Sequence, residues 1–432
     1  MRPLIERISE PKALRKALEE LSSRPQSSGL SGETLANFRW HGKKNIDVLS
    51  KSLKDGSFGF SPVKGVSHRK PGQSKPRPLR ISEIRDRVVL KAILQSIEPK
   101  LIRKYGLTND ASFAYLTGQT EEGFKRTRQG AWDKIKSEFA KGKVFALRGD
   151  IEKFFDKIKR EVLFDDMILP LFNKDISINR LLNEGMDQEI ANLEQIRESH
   201  RYLFEGSTGG IPQGNSLSPL FANVYLAGFD KGMRERGFTL IRYADDIVVL
   251  GMTVESVKAA YTFAATALSR LGLRLYPTLE EDPHATKFSE ILKICSSTPL
   301  TFLSVSFNGR DLFPSNEAYG KLINKLGELT DERYCTDVRA LLDKFGYAID
   351  GWITSFSFTR VEKYLAKINR TVNELLGEAL INMGWKLKKL DGRRLSKSHR
   401  MKSGILFAEA YLAKARAKSA SEEIVQPQSK TT

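Results

Sequence analysis

Three carboxylates carry the most specific chemistry in this sequence. Tyr243-Ala244-Asp245-Asp246 lies between two apolar runs, FTLIRY and IVVLGM, in the pattern of a β-hairpin whose tip bears adjacent acids. Two carboxylates held about 4 Å apart at an effective dielectric near 20 repel by roughly 4 kcal/mol, and a bound cation offsets that repulsion. On its own the tetrapeptide reads equally well as a solvated Asp-Asp turn. Asp150 shifts the balance, because KVFALRGDI (143–151) is a second short apolar strand that ends in a carboxylate. The Ile151 carbonyl that follows is a further hard oxygen. Strands that deliver Asp150, Asp245 and Asp246 to one point can hold a pair of Mg²⁺ ions, with Mn²⁺ able to substitute. Such a pair activates an attacking 3′-hydroxyl and stabilises departing pyrophosphate, which is nucleotidyl transfer.

Elements on either side must hold those strands in place. PKALRKALEELSS predicts an amphipathic helix near the start. Lys75, Arg77, Leu79 and Ile81 fall in a strand-like stretch whose alternate side chains share a face. Ser82 is a candidate N-cap for IRDRVVLKAILQSIEPKLIRKYG, with Ile84, Val88 and Ala92 as its apolar stripe. Residues 161–204 read as polar, mostly helical and external. GSTGGIPQGNSLSPLFANVYLAGFD (206–230) reads as a glycine-rich loop entering a helix, with Ser218 as N-cap and Pro219 at the first helical position. A helix is predicted near 254–272 and a helical region from Ser315 to Leu380. KARAKSASEEIVQPQSKTT is low in complexity and reads as disordered.

The 432 residues carry 70 Lys+Arg against 52 Asp+Glu, a net charge of +18, with 40% hydrophobic residues. That apolar content excludes a wholly disordered chain, and the length exceeds what one core accommodates. The charge is unevenly placed: +12 over residues 1–110, −2 over 111–382 and +9 over 383–418. Lysine-rich solvated surface explains any one run. Two basic blocks around a neutral centre fit jaws for a polyanion better. No apolar run reaches the roughly 18 residues of a membrane span, and the charged start argues against a secretory signal, so a cytoplasmic location is expected. Cys295 and Cys335 form no CxxC, the five histidines lack metal-ligand spacing, and GxxxxGK[ST], HExxH and GxSxG do not occur.

The ordered motifs resemble those of bacterial reverse transcriptases over roughly residues 75–310, and more weakly to about 380. KPRPLRISEIRDRVV and SFAYLTGQT (112–120) are similar to fingers motifs, LRGDIEKFFDKI to the first palm motif, and GGIPQGNSLSPLFANVYL to the template and nucleotide loop. IRYADDIVVL resembles the metal hairpin, LGLRLYPTLEEDPHATKF the next palm motif and TFLSVSFNG the primer grip. The resemblance implies an α/β (α+β) right-hand polymerase, with an antiparallel palm sheet backed by helices. The implied organisation is an N-terminal helical extension at 1–60, fingers at 61–142 and palm at 143–310 with a helical insertion at about 161–205. An α-helical thumb at 311–382, a basic RNA-binding region at 383–418 and a disordered tail at 419–432 complete it.

By the same resemblance Asp150, Asp245 and Asp246 bind the metals, with Ile151 as a backbone ligand, and Lys287 protonates the leaving pyrophosphate. Phe155, with Phe154 as the fallback, is the gate against a ribose 2′-hydroxyl. Lys75, Arg77, Gln213 and Gly214 contact the nucleotide, whereas Arg80, Arg85 and Arg87 mix phosphate contacts with salt bridges. Pro212, Tyr243, Phe302 and Leu303 border primer and template. Lys386, Lys388, Lys389, Arg393, Arg394, Lys397 and Arg400 bind RNA, and Trp385 anchors a helix or stacks on a base. Implied partners are an RNA template, in particular a structured non-coding RNA, its cDNA and dNTPs, with no membrane and an open oligomeric state.

Absence of a Cys-rich endonuclease segment separates the chain from many group II intron proteins, and absence of Val-Thr-Gly and NAxxH from retrons. The QGNSLSPL loop differs from that of diversity-generating elements. The remaining resemblance is to the unclassified, defence-associated "unknown group" enzymes, which implies antiphage action. Alternatives are a maturase-like RNA-binding protein, which three converging carboxylates disfavour, and a template-independent or protein-primed DNA polymerase. An RNA-copying RNA polymerase is disfavoured by Phe155.

Overall fold

The structure, a computed structural model, describes residues 3–21, 28–69, 76–172, 175–205, 210–330, 337–383 and 404–425. The chain divides into two compact units, Met1–Lys293 and Ile294–Thr432.

The first unit opens with four helices, α1 (Leu4–Ile8), α2 (Pro11–Glu20), α3 (Leu35–Trp40) and α4 (Gly42–Lys54). An antiparallel ribbon follows, β1 (Lys64–His68) with β2 (Arg77–Ile81). Helix α5 (Ile84–Tyr105) buries Ile84, Val88 and Ala92, the stripe expected from the sequence. Its first turn corrects one detail: the N-cap position is Glu83, while the Ser82 hydroxyl donates to Gln188 Oε1 at 3.0 Å.

Helix α6 (Arg128–Ala140), capped by Thr127, leads into β3 (Phe145–Asp150) and the one-turn α7 (Phe154–Lys157). Then come a π-helical turn at Val162–Ile168, a 3₁₀ turn at Leu169–Phe172, α8 (Ile176–Met186) and α9 (Glu198–Glu205). This stretch is helical as expected, but it is not an external polar layer. Leu163, Phe164, Ile168, Phe172, Leu181 and Met186 are at most 3% exposed and join the main core. Their i, i+4 and i, i+5 spacings are interleaved with acids, which masks one buried face behind a polar composition.

Helix α10 (Ser218–Glu235) is buried on nearly every side, as its run of apolar residues demands. Leu217, not Ser218, is its N-cap; the Ser218 hydroxyl donates instead to the Pro212 carbonyl at 2.7 Å. Strands β4 (Thr239–Tyr243) and β5 (Asp246–Gly251) form the expected hairpin, followed by α11 (Val254–Arg270) and β6 (Glu290–Lys293). The four strands form one antiparallel sheet in the order β4-β5-β3-β6. Ile247–Leu250 of β5 are buried on both faces, and α6, α10 and α11 pack against the sheet.

The second unit begins with a three-stranded antiparallel meander, β7 (Leu300–Phe302), β8 (Val305–Phe307) and β9 (Leu312–Pro314). Helices α12 (Asn316–Leu329), α13 (Val338–Phe356), α14 (Glu362–Asn382) and α15 (Ala408–Val425) follow. Helix α15 occupies much of the segment expected to lack structure, because Tyr411, Leu412 and Ala415 bury one face against the unit. The mixed α/β class with antiparallel sheets is the one expected. Among the described residues no helix is long and apolar enough to cross a membrane.

Candidate active site

Strand register brings the acids together. Asp150 at the end of β3 is the direct cross-strand partner of Asp246 at the start of β5, and Tyr243 of β4 is the partner of Asp246 on the other side. The backbone closes round the same point: Ile151 N donates to the Asp245 carbonyl at 3.2 Å and Tyr276 N to the Asp150 carbonyl at 3.1 Å. Burial, with repulsion from Asp245, pushes the Asp150 carboxyl up to about 6. The same two causes, with Asp150 added, push Asp246 up to about 7. Lys287 Nζ lies 3.7 Å from Asp150 Oδ2 and 5.2 Å from the centre of the Tyr276 ring.

A charged network behind the hairpin sets its tip. Arg242 is fully buried, and its guanidinium engages Asp230 of α10 through both arms, at 2.7 and 2.5 Å. The remaining donor, Nη1, reaches Asn223 Oδ1 and the Ala244 carbonyl, each at 3.1 Å. Ala244 has φ +61, a conformation that costs a residue with a Cβ about 1–3 kcal/mol, so the turn is held from inside. Asn223 also donates to the Ala114 carbonyl at 2.9 Å, next to Tyr115, whose φ is +69. One relay therefore fixes the residue before Asp245 and the residue before Tyr115.

Phe154 is a core residue at 2% exposure, whereas Phe155 is half-buried, so the two gate candidates separate. Tyr115 meets Phe155 edge-on, with ring centres 6.4 Å apart. Its surroundings, with the nearby Asp245 carboxylate, push the Tyr115 hydroxyl up to about 12, so it stays protonated. Sequence reasoning placed this tyrosine in a fingers motif without a role, since nothing local signals its left-handed backbone.

The glycine-rich loop threads between β2 and Phe155. Ile211 N donates to the Phe155 carbonyl at 2.9 Å and Arg80 N to the Gln213 carbonyl at 2.8 Å. A Cβ on Gly214, where φ is +106, would lie 2.4 Å from the Arg80 carbonyl oxygen, so only glycine fits. The Gln213 side chain hydrogen-bonds to Asp156, and the Arg77 charge is felt at both Asp156 and Tyr115.

Lys75 lies outside the described residues, as do Trp385, Lys386, Lys388, Lys389, Arg393, Arg394, Lys397 and Arg400. Arg85 donates to the Gly59 carbonyl at 2.6 Å and pairs with Asp86, and Arg87 donates to the Ser82 carbonyl at 2.8 Å, so both brace the backbone. Arg80 faces Arg160 and Asp187, away from the Arg77 side of β2. In the second unit Phe302 is buried at 3% exposure; Leu303 and Ser304, with φ +50 and +65, make the β7–β8 turn.

The donor set suits a hard cation: two facing carboxylates that repel each other, a third acid in the adjoining turn, and backbone oxygen alongside. Among the described residues no three His, Cys, Asp or Glu side chains already stand close enough together to grip an ion.

The family model described as "Reverse transcriptase (RNA-dependent DNA polymerase)" matches residues 68–278, which include Asp150, Asp245, Asp246, Phe155 and Gln213. The group II intron-encoded protein LtrA of Lactococcus lactis subsp. cremoris is 29% identical over 209 residues, covering 48% of this chain and 30% of LtrA. An uncharacterized 91 kDa protein in a cob intron of Schizosaccharomyces pombe is 30% identical over 224 residues, covering 50% and 24%. Protein YkfC of Escherichia coli K12 is 24% identical over 244 residues, covering 54% and 57%. The matches thus span less than two thirds of each relative's length. Among solved structures, apo telomerase from Candida tropicalis is similar at TM-score 0.45 and 13% identity, covering 92% of this chain and 73% of that one. Residues 68–278, just under half of the chain, are thus a reverse transcriptase domain.

Proposed function

We propose that this chain is an RNA-directed DNA polymerase that extends a primer along a bound, structured RNA. The cross-strand pairing of Asp150 with Asp246, beside the Asp245 turn and inside a reverse transcriptase domain, carries this reading. Asp150, Asp245, Asp246 and the Ile151 carbonyl would hold Mg²⁺, which when bound lowers the pKa of the attacking 3′-hydroxyl and neutralises charge on the leaving oxygens. Arg77 draws the triphosphate towards the loop. Gln213, steadied by Asp156, and the close-packed Gly214 backbone orient the nucleotide. Phe155 and Tyr115 together form the wall that excludes a ribose 2′-hydroxyl. Lys287 Nζ, beside Asp150, supplies a proton to departing pyrophosphate. Phe302 and Leu303 are the proposed primer-side residues, and the basic residues between 386 and 400 hold RNA.

Purified protein given an RNA template, a DNA primer, dNTPs and Mg²⁺ extends the primer. No extension with Mg²⁺ or Mn²⁺ contradicts the reading. The finer proposal is a role in antiphage defence with a dedicated non-coding RNA, supported by the motif departures from retron and diversity-generating enzymes. Sequencing RNA and cDNA that co-purify from cells tests it. A single enriched RNA with matching cDNA is expected, and random cellular transcripts contradict it.

A further inference from the structure

Helix α3 buries Phe38 at 3% exposure, yet its last residue, Trp40, is 87% exposed, the highest value of any large hydrophobic side chain among the described residues. Helix α4 turns away at Gly42 and buries Ile46, Leu49 and Leu53, which leaves Lys43, Lys44, Val48 and Lys51 on its outer side. Trp40, these three lysines and Val48, itself 59% exposed, line a hollow of about 610 Å³. Asp47 is the one acid in its lining. Trp40 and His41 also border a second hollow of about 400 Å³. Among the described residues Lys43 and Lys44 have no carboxylate partner, while the Lys51 charge acts on Asp55 of the same helix end. An open indole costs solvation free energy and contributes nothing to the core, so a stacking partner is the role its position suits.

We propose that this α3–α4 corner binds a single-stranded RNA segment, with one base stacked on Trp40 and the flanking phosphates on Lys43, Lys44 and Lys51. The ligand chemistry follows from the surface: a flat π face beside three lysines matches an unpaired base on a polyanionic backbone. The hollow and its lining share no residue with the carboxylate site. The choice of RNA over DNA rests on the proposed copying of RNA, in which unpaired template outside the palm needs a second hold.

The test uses the full-length protein and a 12-nucleotide single-stranded RNA. Affinity is measured by fluorescence anisotropy from 50 to 300 mM salt, and a 4-thiouridine version of the RNA is photocross-linked and mapped. Trp40→Ala weakens binding roughly 5- to 100-fold, whereas Trp40→Phe, which keeps a ring, loses much less. The Lys43→Glu/Lys44→Glu variant lowers the slope of log affinity against log salt by about 1.4, from about 0.7 per phosphate contact. Cross-links map to the peptide containing Trp40. Equal RNA affinity of Trp40→Ala and wild type, with no cross-link in that peptide, overturns the proposal. So does a Trp40 dependence seen only with phosphatidylserine vesicles or only with single-stranded DNA. If wild type extends no primer but binds RNA in a Trp40-dependent way, the polymerase reading fails and this site stands.

Discussion

Arg242 donates a hydrogen bond of 3.1 Å to the carbonyl of Ala244, two residues along the same chain, from inside a buried ion pair with Asp230. The bond ties the hairpin tip to α10, because Asp230 and Asn223 both belong to that helix. A charge placed there fixes the geometry of the Asp245 turn from behind, without facing the substrate.

Removing one partner of that pair leaves an uncompensated buried charge. Asp230→Ala is therefore expected to destabilise the protein by about 3–5 kcal/mol in chemical denaturation. The milder Arg242→Lys keeps the charge but loses the two-armed grip, and should cost more in kcat than in denaturation midpoint. An Asp230→Ala midpoint equal to wild type would show that the pair does not hold the hairpin.

Phe155→Ala should raise ribonucleotide incorporation relative to dNTP by about 10- to 200-fold, the range for reshaping one apolar pocket wall. Tyr115→Ala should shift selectivity the same way by less. The double variant should fall short of the product of the two, because the rings touch. Unchanged selectivity in both single variants removes the wall assignment.

The acids give a defined pH signature without divalent ions. Asp150 and Asp246 titrate near 6 and 7 when folded, but near 4 in an unfolded chain. Between those values the folded state binds more protons, so their contribution to stability is fully present below pH 4 and is lost as pH rises through 7. Asp246→Asn should flatten that fall and raise the melting temperature at pH 8 by about 2–4 °C. Added Mg²⁺ should stabilise wild type more at pH 8 than at pH 5.5. A melting temperature in EDTA that does not fall from pH 5 to 8 contradicts the convergence of the two carboxylates.

Gly214→Ala places a Cβ against the Arg80 carbonyl at a backbone angle that alanine resists. Loss of about 1–3 kcal/mol of stability and a higher KM for dNTP are expected, read from a melt and from steady-state extension. A KM equal to wild type separates the loop from nucleotide binding.

The carboxylates were legible because each ends or begins an apolar run, and a two-residue turn leaves little freedom in register. The outer helices were legible from period alone. Residues 161–205 misled because acids interleave with Leu163, Phe164 and Ile168, so composition hid a buried face. Ser82 and Ser218 misled because their hydroxyls bond to Gln188, 106 residues on, and to Pro212, six residues back, choices that no cap pattern encodes. Tyr115 and the Asn223–Arg242 relay could not be read at all, since their meeting depends on tertiary contacts across 19 to 109 residues.

The measurement that bears most directly on the central claim is primer extension on an RNA template by wild type, Asp150→Ala and Asp245→Ala at matched, folded concentrations. Extension is expected from wild type in Mg²⁺, with a loss of at least about 10³-fold in both variants, the scale of removing electrostatic stabilisation at a reacting centre. Extension by either variant at the wild-type rate would contradict the assignment of catalysis to these carboxylates.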